Sequence, residues 1–567
     1  MKKIWNNRWL RGILITAIVL IAMLLALYQI VVATPPDIAD FTPVEMERQE
    51  LGDNFYSIKN NWLRKTPNGF WELYLEGAPF ERGTYAGKLC HDLLVQQETA
   101  FVNGVEEKVS SRLYLNVLKL FVAWFNRKLP NFVPPEYQKE LYGWSLSAAD
   151  EYDYIGPKYH RKLNYHAAHD IGHALQNMGL VSGCTALAGW DGASADSSLI
   201  VGRNFDFYVG DDFAAIKIIA FIKPDNGHPF MMVTWPGMIG AVSGMNTKGI
   251  TVTLNAGPTG IPKGAKMPVT ILARQILQYA STLEEAHEIA QQAETFVSEC
   301  IVVGSGKENR VVVIEKSPTE MALFEPDQDH LVCANHFQSA LFEDDPDNLK
   351  AQKMTSTVHR FERMQQLFKQ DSVLTPPLLA DILRDVRGLD GKNIGIGNEM
   401  AINQLIAHHS IIFKPREQMV WIAGHPSQLG TFVAYDLNRI FAQESPLIQQ
   451  KALLASSGQN IPADPLLYSS ELKDYQQFKA LSDTIAAAIK SGDTLLTEQL
   501  KLFQQLNPEH FFTYTLLGEY YQSQGQCDKA IGFFEKGLTK SIPWLKDRER
   551  LEDGLEECRT EDFRSEK

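Results

Sequence analysis

An uncharged and mostly apolar run opens the chain at residues 13–32, and it is predicted to form one helix. The run is long enough to cross a membrane once. Four basic residues precede it, so the positive-inside rule places the amino terminus in the cytoplasm and the body outside. A signal peptide cleaved after residues 31–33 is the competing interpretation, and it also exports the body. The run exceeds the apolar region of about 7 to 15 residues that is usual in signal peptides, which favours an uncleaved anchor.

Helical periodicity dominates the segment that follows. Residues 34–66 contain prolines and no sustained period, so they are expected to form an irregular connector. Residues 70–77 alternate between apolar and polar side chains, as a strand does. Residues 98–180 are predicted to be mostly helical, with breaks at prolines. The segment 34–183 as a whole is therefore expected to be a helix-rich leader.

From residue 198 the pattern changes to short segments rich in β-branched and aromatic residues, which predict strands. Amphipathic helices are predicted between them at 269–292, 355–370 and 377–386. Strands grouped with helix pairs favour a layered α+β domain over a parallel doubly wound one. The predicted strands lie at 199–207, 215–222, 230–235, 250–254, 300–303, 310–315, 330–337, 410–413, 419–423 and 431–435.

Beyond a polar, linker-like stretch the pattern is helical to the end of the chain. The spacing of seven aromatic, aliphatic and small residues in this tail resembles the tetratricopeptide repeat. A short repeat array cannot form a long solenoid, so it is expected to lean on the catalytic domain or on a protein partner. The seven residues are Tyr514, Leu517, Gly518, Tyr521, Ala530, Phe534 and Gly537.

Composition and charge argue against a nucleic-acid-binding protein and against a disulfide-rich scaffold. A 567-residue chain with 45% hydrophobic residues can build more than one core. The formal net charge of −14 argues against a nucleic-acid partner, because binding to a phosphate backbone needs a basic face. Six cysteines in so long a chain do not make a disulfide framework, although Cys527 and Cys558 could pair in an oxidising compartment.

Cys184 is the first candidate for chemistry, although an isolated cysteine is more often a small buried apolar residue. A thiol needs a nearby base or cation to react as the thiolate near neutral pH. No histidine of the chain stands in a Cys-His protease signature. If Cys184 became an amino terminus, its own α-amine would titrate near pH ~8 and could serve as that base.

Four short segments appear in collinear order: Gly183-Cys184-Thr185, 202–207 (GRNFDF), 244–250 (GMNTKGI) and Leu254-Asn255-Ala256-Gly257. In this order they resemble the amino-terminal-nucleophile (Ntn) hydrolases of the isopenicillin-N acyltransferase type, peptidase family C45. Bile-salt hydrolases, penicillin V hydrolases and acid-ceramidase-like amidases are related to this family. The likeness covers residues 70–425. It implies an αββα sandwich and a precursor that cuts itself between Gly183 and Cys184.

The resemblance also implies roles for residues at matching positions. Cys184 would attack first the Gly183 carbonyl and later a substrate amide, each time through a thioester. Arg203 would lie beside the thiolate, and Asp206 would orient the α-amine. Asn255 would donate its side-chain N–H to the oxyanion. The structural alternatives are a surface arginine, a turn carboxylate and a turn asparagine.

Two further matches to the family are looser. Asn335 fits the second family asparagine, and Arg360 fits a late family arginine. The alternatives are a strand-end turn for Asn335 and a solvated helix face for Arg360. His166, His169 and His173 could share a helix face, but they lack the glutamate of a His-Glu-x-x-His zinc motif, so no metal or other cofactor is expected.

These patterns together predict an exported, membrane-tethered, self-processing amide hydrolase or acyltransferase that acts on a small-molecule amide. The expected division is 1–33 anchor, 34–183 leader, 184–445 catalytic domain, 446–466 linker and 467–567 tetratricopeptide-like domain. One alternative is an inert envelope scaffold whose repeat region, 467–567, recruits a protein partner. Another is an ester- or lipid-directed hydrolase of the same fold. The pocket loops do not identify the substrate.

Overall fold

The computed structural model describes residues 8–109, 111–174, 183–207, 210, 216–260, 262–442 and 454–565. Seventeen strands in these ranges form two sheets of eleven and six strands. The larger sheet has the order β1-β2-β3-β4-β7-β8-β9-β10-β11-β12-β13, and its neighbours are antiparallel except β4 and β7. Its strands are β1 (Gln49–Gly52), β2 (Phe55–Ile58), β3 (Asn61–Lys65), β4 (Trp71–Gly77), β7 (Ile218–Pro224), β8 (Phe230–Thr234), β9 (Ser243–Asn246), β10 (Ile250–Ala256), β11 (Glu299–Ser305), β12 (Arg310–Lys316) and β13 (Met321–Phe324).

The smaller sheet has the order β14-β5-β6-β15-β16-β17 and is antiparallel throughout. Strands β5 and β6 lie next to each other in it, with Ala186 opposite Arg203. This register brings the beginning of β5 close to the end of β6. The strands are β5 (Thr185–Gly189), β6 (Ile200–Phe205), β14 (His330–Cys333), β15 (His409–Lys414), β16 (Met419–Ala423) and β17 (Phe432–Asp436).

The two sheets pack face to face. Side chains from both sheets, such as Phe221 and Val302 from one and Val201 and Ile411 from the other, share one buried cluster. The opposite faces of the sheets are covered by helices. The central strands are therefore covered on both faces and buried along nearly their whole length. The predicted α+β class is confirmed.

Helices cover the outer face of each sheet. The helices between residues 79 and 174, together with those at 269–292, cover the larger sheet, and the helices at 357–383 cover the smaller one. The helices up to residue 442 are α1 (Arg8–Val31), α2 (Thr42–Glu45), α3 (Pro79–Leu89), α4 (His91–Lys108), α5 (Arg112–Asn126), α6 (Pro135–Ser145), α7 (Lys158–Ala174), α8 (Val269–Tyr279), α9 (Leu283–Gln292), α10 (Pro346–Met354), α11 (Thr357–Gln370), α12 (Pro376–Leu383) and α13 (Leu437–Ala442).

The expectation of an irregular connector at 34–66 is wrong. Strands β1 to β3 occupy residues 49–65 and extend the larger sheet through β4. Each of these strands has only four or five residues, which is too short to show a sequence period. One residue of each two-residue connection, Asn54 and Lys59, adopts positive φ, which allows the chain to reverse direction tightly.

Helix α1 contains one window, Gly12–Val31, that is long and apolar enough to cross a membrane, and its side chains are exposed. Length and composition alone support a span, and an N-terminal signal sequence has the same properties. Helix α1 contacts α5, which exposes five large apolar side chains on one face. These are Leu113, Val117, Leu120, Phe121 and Trp124.

The carboxyl-terminal region is helical, as predicted. In its packing, a Cβ atom on Gly518 would lie 2.4 Å from the ring of Phe534, so a small residue is needed where α16 meets α17. The tetratricopeptide assignment stays a prediction. The described part of the expected linker pairs with β17, through Ala455 opposite Tyr435 and Ile461 opposite Phe432. The helices are α14 (Ser470–Ser491), α15 (Thr497–Leu506), α16 (Phe511–Ser523), α17 (Cys527–Leu538) and α18 (Leu545–Ser565).

Candidate active site

Cys184 lies immediately before β5 of the smaller sheet, and only 2% of its surface is exposed. The chain is uncut here, and Gly183 precedes it with its N–H donating to the Asp206 carbonyl at 3.3 Å. Ser182, which the sequence analysis grouped with them, lies outside the described residues. The candidate nucleophile therefore sits inside the protein, next to the peptide bond that it is expected to cut.

Arg203 connects the two sheets at this point. It belongs to β6 and is fully buried, so it is not a surface arginine. Its guanidinium donates to Ser243 Oγ at 2.9 Å and to Asn255 Oδ1 at 3.1 Å, both on the larger sheet, and also to the Leu254 carbonyl. The positive charge of Arg203 also acts on the Cys184 thiol.

The carboxyl group of Asp206 is completely buried, and neither of its oxygens has a hydrogen-bond partner within the described residues. Burial raises the pKa of Asp206 to about 7, although Arg360 and Arg203 oppose that rise. A buried carboxyl group without a partner destabilises a fold. A group of this kind with a pKa close to neutral is typical of a functional site.

Burial also raises the pKa of the Cys184 thiol to about 11, and Arg203 offsets part of the rise. The thiol is therefore protonated at neutral pH in the uncut chain. A nucleophilic attack by Cys184 requires a base that removes this proton. The Asp206 carboxyl group also acts electrostatically on the thiol, and the Asp206 backbone N–H donates to its sulfur.

Asn255 lies on β10, where it pairs with Cys300 of β11. Its Oδ1 accepts from Arg203, and its Nδ2 donates to the carbonyls of Cys333 and Ala334, both at 3.3 Å. In the uncut chain the side-chain N–H of Asn255 therefore points to backbone acceptors other than Gly183.

Arg360, on α11, makes the most direct contact with the expected cleavage site. Its Nη1 donates to the carbonyls of Gly183 at 2.8 Å and of Cys184 at 2.7 Å. Its Nη2 donates to Asn335 Oδ1 at 2.9 Å, and Asn335 Nδ2 in turn donates to the Ala256 carbonyl at 3.0 Å. Arg360 is buried, so it does not lie on a solvated helix face.

The structure thus brings all six residues expected from the sequence into one cluster. It adds Gln404, which the sequence analysis did not single out, and whose Nε2 donates to the Gly183 carbonyl at 2.8 Å. Gln404 lies in the loop between α12 and β15, where no periodicity or motif marks it. His166 has a packing role, since its Nε2 accepts the Ile239 N–H at 3.0 Å.

Comparison with known proteins relates this cluster to a family. Residues 193–423 match the family described as acyl-coenzyme A:6-aminopenicillanic acid acyl-transferase. The match includes Arg203, Asp206, Asn255, Asn335 and Arg360, and it begins after Cys184. This region is similar to that family. The family is one of Ntn hydrolases, so the resemblance seen in the sequence is confirmed, while the tetratricopeptide part of that prediction is not.

Individual relatives of this acyl-transferase region are distant. An uncharacterized protein of Archaeoglobus fulgidus is 28% identical over 274 residues, which make up 45% of this chain and 45% of that protein. The chain spans about half the length of the curated relatives it matches.

Two solved structures are similar to part of the chain. The Caenorhabditis elegans ortholog of N-acylethanolamine-hydrolyzing acid amidase is 18% identical, with 41% of this chain and 93% of that chain covered and a TM-score of 0.31. A conjugated bile acid hydrolase from Clostridium perfringens is 12% identical, with 46% and 94% covered and a TM-score of 0.32.

Proposed function

We propose that this protein is a self-processing cysteine amidohydrolase or acyltransferase, activated by a cut between Gly183 and Cys184. One observation carries the proposal: the Asp206 carboxyl group is buried without a hydrogen-bond partner among the described residues, beside a cysteine thiol and two arginines. Such an arrangement is costly in the uncut chain. A new amino group on Cys184 would give the carboxylate the hydrogen-bond donor that it lacks among the described residues.

In the first reaction the Asp206 carboxylate accepts the thiol proton, and the sulfur attacks the Gly183 carbonyl carbon. The carbon–nitrogen bond breaks, the Cys184 nitrogen takes up a proton, and a thioester links Gly183 to the sulfur. Water then hydrolyses the thioester. The products are a Gly183 carboxylate and a free Cys184 amino terminus.

In the second reaction the mature Cys184 attacks the carbonyl carbon of a substrate amide. Its α-amine serves as the base, and Asp206 orients that amine. The amine part of the substrate leaves with a proton, and the acyl group stays on the sulfur until water or a second amine removes it. Asn255 donates to the oxyanion of this step.

The alternative of an inert scaffold predicts no reactive thiol. In the proposed enzyme, iodoacetamide labels Cys184 of the cut chain and stops the release of amine from N-acyl amide substrates in parallel. Unlabelled Cys184 together with an absence of amine release across a panel of N-acyl amides would favour the scaffold. Turnover of matched esters but not of amides would favour the ester-directed hydrolase.

Self-cutting is expected to accelerate as the pH rises through about 7. The carboxyl group of Asp206 can accept the thiol proton only when it is ionised, which happens above its raised pKa of about 7. Cutting rates of freshly refolded chain between pH 5.5 and 8.5 measure the effect, and Asp206→Asn should cut at least about 10²-fold more slowly at pH 8. A flat profile in the wild type, or the same inflection in Asp206→Asn, would contradict this role.

Stability supplies an independent check on the same group. Because folding raises the pKa of Asp206 above its ordinary value, the folded state holds the proton more tightly than the unfolded state. The cost of the buried carboxylate therefore grows as the pH rises from about 4 to about 7. In an uncut Cys184→Ala background, Asp206→Asn should raise the Tm at pH 8 more than at pH 5.

We also propose that α1 anchors the protein with its body on the extracytoplasmic side. Support comes from its length, its exposed apolar side chains and the basic residues before it. Helix α5 contacts α1, and its exposed apolar face could lie on the same membrane surface. Retention in the membrane pellet after an alkaline carbonate wash, with protease access to the body from outside, tests this placement.

A further inference from the structure

The Gly183 carbonyl oxygen accepts hydrogen bonds from two side chains, Arg360 and Gln404, each at 2.8 Å. During self-cutting this oxygen becomes the oxyanion of the tetrahedral intermediate. Building on the proposed self-processing, we infer that Gln404 is a catalytic residue of the first reaction, forming with Arg360 an oxyanion site for the cut that is separate from Asn255. Neither the family match nor any sequence motif assigns a role to this glutamine.

Gln404 is the donor in its contact with Gly183, because a carbonyl oxygen can only accept a hydrogen bond, and the contact is made through Nε2. Only 1% of Gln404 is exposed, and its Oε1 has no hydrogen-bond partner in the described part of the chain. A neutral N–H in a buried site stabilises a developing negative charge strongly, because no water competes for the contact.

Hydrogen bonds hold the loop in place on both sides of Gln404. The Asn403 N–H donates to the Asp385 carbonyl at 2.8 Å, and Asn204 Nδ2 donates to the Ile402 carbonyl at 3.1 Å. The Leu405 N–H donates to Asn403 Oδ1 at 3.0 Å. The side chain is thus positioned before the reaction begins, which is the condition under which an oxyanion donor is effective.

Position 183 must be glycine for Gln404 to reach the carbonyl oxygen, because there is no room for a Cβ atom. A Cβ atom at this position would lie 2.1 Å from Gln404 Nε2 and 2.8 Å from its Cδ. Any larger residue would therefore push the glutamine away from the carbonyl oxygen. The position of the Gln404 side chain therefore depends on glycine at position 183.

Asn255 does not serve this oxygen in the uncut chain. Its side-chain N–H donates to the carbonyls of Cys333 and Ala334 instead. The two reactions therefore use different donors. Arg360 and Gln404 donate to the Gly183 oxyanion when the first thioester forms, and Asn255 donates to the oxyanion of the substrate. The bonds formed and broken are those of the proposed first reaction, and no further reactant is needed.

The first test is the rate of self-cutting in full-length Gln404→Leu, which keeps the approximate volume and removes the donor. Thioester formation should slow by about 10²-fold, the usual effect of losing one oxyanion donor. Gln428→Leu is a matched control, since Gln428 is also buried and its amide has no hydrogen-bond partner among the described residues. The control should cut at the wild-type rate.

Hydroxylamine, which cleaves thioesters, identifies the step. If Gln404 acts on thioester formation, hydroxylamine leaves the slow rate of Gln404→Leu unchanged. Restoration of the wild-type rate by hydroxylamine would place the defect in thioester hydrolysis and overturn the inference.

A double-variant cycle separates catalysis from simple packing. Gly183→Ala alone should slow the cut at least about tenfold by displacing Gln404, but in a Gln404→Ala background it should cost less than about threefold. Additive losses would overturn the coupling. A Gln404→Leu chain that cuts at the wild-type rate would overturn the inference and leave self-processing intact, whereas a wild type that never cuts would refute self-processing itself.

Discussion

Cys184→Ala is expected to leave the chain entirely uncut, whereas the wild type separates into one fragment that ends at Gly183 and one that begins at Cys184. The reason is that the expected thioester forms between the Cys184 sulfur and the Gly183 carbonyl carbon, so it cannot form without that sulfur. Cys184→Ser should cut more slowly but at the same bond, because a hydroxyl group gives an ester by the same route. Denaturing electrophoresis follows the cut, and amino-terminal sequencing of the larger fragment should read Cys-Thr-Ala-Leu.

The matched control for this prediction is Cys90→Ala. Cys90 is fully buried at the junction of α3 and α4, and burial raises the pKa of its thiol well above the ordinary value, much as at Cys184. It lacks the arginine pair and the unpartnered carboxyl group, so its loss should leave the cut unchanged. Cutting at the same rate in Cys184→Ala would show that another nucleophile, or a contaminating protease, breaks the bond.

The parts of the fold that were predictable from sequence are those with long, strongly patterned elements. Strand β7 is rich in β-branched residues, strand β10 alternates, and helices α8, α9 and α11 are amphipathic, and the structure has them close to the expected bounds. Strands β1 to β3 were missed because each is stabilised by pairing with its neighbour rather than by its own pattern. Contacts of this kind leave no local signal.

Some residues of the candidate site were also predictable from the sequence and others were not. Cys184, Arg203 and Asp206 lie close together in the chain, and the register of β5 and β6 brings them together in space. Arg360 lies on a helix far along the chain and could be found only through the family resemblance. Gln404 could not be found at all, because its contact with Gly183 depends on how a loop of irregular backbone packs against β5 and β6.

The roles of the two amide side chains can be separated by a second large effect. In Asn255→Ala, the kcat for amide hydrolysis should fall by about 10²- to 10³-fold, since the substrate oxyanion loses its donor. Self-cutting should change by less than about threefold, because Asn255 does not touch the Gly183 carbonyl in the uncut chain. Turnover of cut enzyme and the rate of cutting in fresh chain are measured on the same preparation.

Two further variants make this result specific to the donor. Asn255→Asp keeps an oxygen for the Arg203 guanidinium, now 3.1 Å from Asn255 Oδ1, and removes the N–H, so it should lose as much kcat as Asn255→Ala. Asn246→Ala removes a buried asparagine that donates to the Leu277 and Ala280 carbonyls; it should lower the Tm but keep kcat. If Asn255→Ala slowed cutting as much as turnover, one oxyanion site would serve both reactions. If the Gln404 variant slows self-cutting but not amide hydrolysis, and the Asn255 variant slows amide hydrolysis but not self-cutting, then the two reactions use different oxyanion donors.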